Sequence, residues 1–138
     1  MIRKIFKKET ERPHREKAQI LAKYYMFFDV EEDLNFSNAK QRAIIDDINK
    51  KGMKLSITPS FDKKLFKKIK RNDSFFLLEF SLPRDNYLIQ VTGRLCWANN
   101  DTEHFPAVTE IGVEFLDLSP EEKVMISRYV TLKKKERL

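Results

Sequence analysis

Two arginines, Arg12 and Arg15, lie in a basic N-terminal segment that also holds Arg3, Lys4, Lys7, Lys8 and Lys17. A guanidinium is a planar fork that grips phosphate bidentately and stacks on flat aromatic faces. A second group is Asp47-Ile-Asn49-Lys-Lys-Gly52. Asx side chains ahead of a glycine cap tight turns, and the same atoms can accept from or donate to a polar ligand. Gly52 at a strand entrance implies either a positive φ or a close approach of backbone. Lys50 and Lys51 add positive charge beside that turn. Trp97, the single tryptophan, can stack on a planar ligand or pack at the edge of a core. Lys63, Lys64, Lys67, Lys68, Lys70 and Arg71 form a further basic cluster, which reads as a solvated face or as a surface for nucleic acid.

Much other chemistry is excluded by composition. With three glycines, Gly52, Gly93 and Gly112, neither a phosphate-binding P-loop nor a dinucleotide fingerprint can be assembled. The single cysteine, Cys96, allows no internal disulfide, no C-x-x-C pair and no cysteine-rich zinc site. His14 and His104 are too far apart for an H-E-x-x-H motif. No nucleophile–base constellation is visible, so the chain reads as a non-enzyme with no cofactor. No apolar run reaches the roughly 20 residues of a membrane span, and the charged start has no signal-peptide pattern. These features lead us to expect a soluble domain of a reducing, intracellular compartment.

The 138 residues suit one domain, and 41% apolar and 12% aromatic content is enough for a packed core. Three segments are expected: a basic arm over 1–17, a folded body over 18–132 and a basic tail over 133–138. Ala18 to Val30 and Arg42 to Ile48 read as strands, with an acidic loop over 31–40 between them. Met53, Leu55 and Ile57 alternate with polar residues, as do Phe76, Leu78, Phe80 and Leu82. Tyr87, Ile89, Val91, Gly93, Leu95 and Trp97 are expected on one face of a long strand, with Cys96 and Arg94 on the other. Ile111, Val113 and Phe115 form the last alternating run. Residues 61–71 suit a short surface helix or an irregular crossing. Ser119-Pro120-Glu121-Glu122 is a capping box opening a C-terminal helix. The expectation is mainly β: about six antiparallel strands closed into a barrel or paired as a sandwich, with the helix over one mouth or face.

Several local sequences resemble one family. Asp47-Ile-Asn49-Lys-Lys-Gly52 precedes an alternating strand; then come Phe80-Ser-Leu-Pro83, Val91-Thr-Gly93-Arg-Leu-Cys-Trp97 and Ile111-Gly-Val-Glu-Phe115 before a capped helix. This order resembles the PilZ domain family, bacterial receptors for cyclic diguanylate, over residues 11–132. The resemblance implies a six-stranded antiparallel β-barrel with a C-terminal helix. It also implies a ligand site in two parts. One is D/N-x-S-x-x-G, matched by Asp47, Asn49 and Gly52 with Asn in place of the usual Ser. The other is R-x-x-x-R in an arm that folds over the ligand. Here Glu11-Arg12-Pro13-His14-Arg15 has Glu11 at the first Arg position and Arg12 one residue later.

The implied function is a cytoplasmic bacterial effector that binds cyclic diguanylate and relays it to a protein partner as the arm orders. Arg12 and Arg15 would meet phosphate or the guanine O6/N7 edge, Asp47 and Asn49 the guanine polar edge, and Trp97 a guanine face. Two other readings stand beside it. One is a ligand-blind adaptor of the same fold, motivated by Glu11 and Asn49. The other is a single-stranded nucleic-acid barrel, motivated by the net charge of +6 and ranked last because the strands lack an outward aromatic platform.

Overall fold

The computed structural model describes residues 20–28 and 40–137. The strands are β1 (Ile20–Phe28), β2 (Gln41–Ile48), β3 (Gly52–Ile57), β4 (Ser74–Phe80), β5 (Ile89–Asp101) and β6 (Val108–Phe115). Helix α1 (Lys63–Arg71) joins β3 to β4, and helix α2 (Pro120–Arg137) follows β6. The six strands form a closed barrel in the order β1-β2-β3-β6-β5-β4, with every neighbouring pair antiparallel. Closure leaves no open sheet edge. The expected arm over 1–17, and the expected loop over 31–40 apart from Lys40, lie outside the described residues.

Alternation sets the barrel interior. Ile20, Ala22 and Tyr24 of β1 point inward, as do Met53, Leu55 and Ile57 of β3. Phe76, Leu78 and Phe80 of β4 and Ile89 and Val91 of β5 meet them. Tyr24 packs against Phe76 with ring centroids 5.6 Å apart and planes tilted by 55°. Buried in this way, the Tyr24 phenol is pushed up from 10.0 to about 12.

Each barrel end is closed by a helix. Strand direction brings the start of β1, the β2–β3 turn, the β4–β5 connection and the end of β6 to one end. Helix α2 lies over that mouth: Ile126 is fully buried in the core, and Met125, Tyr129 and Val130 pack against it. The expected capping box forms. The Glu122 N–H donates to Ser119 Oγ at 3.1 Å, and the Ser119 N–H donates to Glu122 Oε1 at 3.0 Å. At the opposite end Asp62 caps α1, accepting from the Leu65 N–H at 2.8 Å. Ile69 of α1 and Phe61 ahead of it are buried.

Two expectations for the long strand are corrected. Tyr87 precedes β5 and is half exposed, its hydroxyl donating to Glu122 Oε2 at 3.3 Å. Trp97 does not share the apolar face of Leu95. The β5–β6 register shifts between Leu95 and Trp97, and this bulge turns the indole outward, 42% exposed.

The buried Tyr24 predicts alkaline sensitivity. A phenol whose pKa is raised in the folded state stabilises the fold below pH 10 and loses that contribution as pH rises toward 12. Denaturant unfolding of the wild type should therefore show a loss of order 2 kcal/mol across that window. Tyr24→Phe should flatten it; an unchanged slope would refute the assignment.

Candidate functional site

The site is built on the outer surface of four adjacent strands. Strand registers place Asp47 opposite Lys54, Lys54 opposite Gly112, and Gly112 opposite Trp97. These four residues form one row across β2, β3, β6 and β5. The next row toward the β2–β3 turn holds Gly52, Glu114 and Arg94. A glycine in each row thins the middle of the surface, where Lys54 and Glu114 are the side chains beside Gly112 and Gly52, and Asp47 and Trp97 stand at its two sides. The resulting shallow groove has a volume of about 320 Å³.

Both walls depend on a bulge. Ile45 and Ile48 of β2 are buried, although three residues apart, because the β2–β3 register shifts between Ile45 and Asp47. Strict alternation would have sent Asp47 into the core with Ile45. The extra residue, Asp46, accepts a hydrogen bond from the Ser56 hydroxyl of β3, and Asp47 emerges exposed. On β5 the bulge at Cys96 does the same for Trp97, after which Ala98 returns to the core. Bulges re-aim single side chains in this way near binding sites.

Each glycine is required by contact. A Cβ on Gly52 would lie 2.1 Å from the Val113 carbonyl oxygen, so β3 and β6 could not keep their spacing. Close approach, and not positive φ, explains this residue. A Cβ on Gly112 would lie 2.1 Å from Trp97 Nε1 and 2.4 Å from Cε2. The indole therefore rests on Gly112, with its other face available to solvent.

Asn49 shapes the turn. Its Oδ1 accepts from the Lys51 N–H at 2.7 Å and the Gly52 N–H at 3.2 Å, and its own N–H donates to the Gly52 carbonyl at 2.9 Å. With Oδ1 engaged twice, Nδ2 is the donor that the Asn49 side chain has left to offer. The groove charges are largely balanced. Arg94 Nη2 meets Glu114 Oε2 at 2.6 Å, and Lys54 Nζ lies 4.0 Å from Glu110 Oε2. Lys51 lines the groove, whereas Lys50 faces α2 beside Lys123 and Val124. Cys96 also lines the groove. Its thiol is pushed up, first by partial burial and then by the charge of Glu114, which keeps it protonated and poorly nucleophilic at neutral pH.

The structure thus brings Asp47, Asn49, Gly52 and Trp97 to one groove. Arg12 and Arg15 lie outside the described residues. The sequence reading did not place Lys54 and Gly112 in the site. A glycine inside an otherwise β-branched strand was the available signal, since it marks a close approach.

The PilZ domain model matches residues 10–132, and the chain belongs to the PilZ domain family. Two solved structures share the fold. One is the Borreliella burgdorferi PlzA protein in complex with c-di-GMP, with TM-score 0.54 and 12% identity, covering 100% of this chain and 59% of that one. The chain therefore spans little more than half the length of that protein. The other is the PilZ domain of YcgR from Escherichia coli with c-di-GMP, with TM-score 0.55 and 14% identity, covering 90% of this chain and 94% of that one. Among curated proteins none matches by sequence.

The two glycines should respond differently to an added methyl group. Gly52→Ala meets backbone, so it should lower stability by about 1–3 kcal/mol in denaturant unfolding. Gly112→Ala meets a side chain that can swing away. It should leave stability closer to wild type and shift Trp97 fluorescence toward the emission of a fully solvated indole. Unchanged emission in a folded Gly112→Ala protein would contradict the stacking of indole on glycine.

Proposed function

We propose that this protein is a cyclic diguanylate receptor that binds one face of the ligand in the Asp47–Trp97 groove and the other with its N-terminal arginines, and that it relays binding to a protein partner. The observation that carries the reading is the cross-strand row in which Asp47 and Trp97 flank Lys54 and the bare backbone of Gly112. PilZ membership supports it, as do two structural relatives whose structures hold c-di-GMP.

The chemistry can be assigned atom by atom. Asp47 carboxylate oxygens accept from guanine N1–H and N2–H, and the Asn49 amide donates to O6, N7 or a phosphate oxygen. Trp97 offers one indole face to a base. The groove's own cations, Lys51 and Lys54, share it with Asp47 and Glu114, so most of the charge for two phosphates must come from elsewhere. Arg12 and Arg15 supply it. Strand β1 starts at Ile20, paired with Ile45 only two residues before Asp47, so β1 begins beside the groove. Arg15 is five positions and Arg12 eight positions before Ile20, which extended chain spans in at most about 17 and 27 Å. Ordering that segment on the ligand costs conformational entropy but changes a surface a partner can read. The activity is binding without catalysis, in the bacterial cytoplasm.

A second reading is a ligand-blind adaptor. Glu11, where the family motif has its first arginine, favours it, since a carboxylate beside ligand phosphates is repulsive.

Calorimetric titration with cyclic diguanylate, with cyclic diadenylate as control, decides between them. Selective binding with a change in Trp97 fluorescence is expected. Arg12→Ala with Arg15→Ala should weaken it at least about tenfold, because a charge-assisted hydrogen bond contributes about 1.5–3 kcal/mol. Equal affinity in that variant would remove the arm from the mechanism. Binding by Glu11→Arg but not by wild type would favour the adaptor.

A further inference from the structure

Helix α1 carries six cations in nine residues: Lys63, Lys64, Lys67, Lys68, Lys70 and Arg71. At about 100° per residue they fall within an arc of about 160°, with Leu65, Phe66 and Ile69 on the opposite arc. All six are exposed, and Ile69 is fully buried. Among the described residues no carboxylate lies within ion-pair distance of any of them. Two are held upon aromatic rings. Lys68 Nζ lies 4.8 Å from the Phe28 ring centroid, and Lys70 Nζ lies 5.0 Å from that of Phe66.

A second, independent feature stands at the same end of the barrel. Phe105, at the tip of the β5–β6 hairpin, is 98% exposed. The hairpin is fastened to the segment that leads into α1. The Ser60 N–H donates to the Ala107 carbonyl at 3.1 Å, and the Phe61 N–H to Thr109 Oγ1 at 2.8 Å. Asn100 Nδ2 donates to the Phe61 carbonyl at 3.2 Å. Phe61 immediately precedes the helix cap, so Phe105 is carried on a hairpin tied to the N-terminus of α1.

We propose that α1 and Phe105 dock this protein on an anionic lipid bilayer. A bilayer surface takes both features: phosphate and carboxylate headgroups pair with the lysines, and the phenyl ring enters the acyl boundary. Nucleic acid matches the charge but not the rest. The rings nearest the cations, Phe28 and Phe66, are half-buried and each lies beneath a lysine, whereas Phe105, almost fully exposed, sits at a hairpin tip beside the helix. Docking through this end leaves the Asp47–Trp97 groove on the barrel wall, in water.

The test is co-sedimentation of the full-length protein with vesicles of phosphatidylcholine containing phosphatidylserine, against phosphatidylcholine alone, at low and high salt. Partitioning onto the anionic vesicles only, weakened by salt, is expected. Each lysine near such a surface contributes about fivefold, so Lys63→Glu with Lys67→Glu should lower partitioning at least ~25-fold. Phe105→Ser, which leaves the charge unchanged, should lower it roughly tenfold. Thermal unfolding checks that each variant is folded, and Lys70→Glu with Arg71→Glu provides a second charge pair. Failure of the wild type to sediment overturns the proposal. So does unaltered partitioning in the folded α1 variants, which would assign binding to the basic N-terminal segment. Binding of a single-stranded oligonucleotide that depends on the same lysines, without vesicle binding, also overturns it.

Discussion

A β-strand alternates its side chains between two faces, and in a closed barrel one of those faces is the core. That parity is the constraint on which the rest of this molecule depends. Asp47 has the parity of Ile45, and Trp97 has the parity of Leu95, so regular strands would drive a carboxylate and an indole into the barrel. One extra residue in β2 and one in β5 reverse the phase. Both reversals occur on strands flanking the same central pair, β3 and β6. The two side chains consequently come out on one surface, on either side of two glycines.

The central pair imposes its own requirement. Gly52 lets β3 and β6 approach where Val113 presents its carbonyl, and Gly112 gives the indole a seat. The bulges would expose Asp47 and Trp97 without the glycines, but side chains at those positions would fill the floor between them. The groove is thus a product of four strands, and no one segment contains it. Its electrostatics follow from the same neighbours. Arg94 with Glu114 and Lys54 with Glu110 are cross-strand pairs, and exposed pairs of this kind add little stability. Their effect is to leave the groove close to neutral, so the positive charge of the chain resides elsewhere.

That charge has a definite distribution. Helix α1 holds six cations with no ion-pair partner among the described residues at one barrel end, and α2, with its basic C-terminal turns, covers the other. The ends differ in what they join. The β2–β3 turn, the start of β1 and α2 converge beside the groove. The α1 end shares none of these elements, so the two ends can serve separate contacts.

The sequence by itself determined the class of fold. Runs such as Met53, Leu55, Ile57 and Phe76, Leu78, Phe80 carry their burial in their own spacing, and Ser119 to Glu122 carries its cap in four residues. Asp47, Asn49 and Gly52 were also legible, because a turn motif is local. Barrel closure, the place of α2 and the membership of the groove were decided by the tertiary structure. The outward turn of Trp97 was the clearest case: alternation alone placed it with Leu95. A bulge is a mismatch between two strands, and its position depends on hydrogen bonds to a partner strand distant in sequence. Lys54 and Gly112 enter the site for the same reason, since each lies next to Asp47 or Trp97 only through register. Local patterns state which residues want to be buried, whereas cross-strand pairing decides which exposed residues meet.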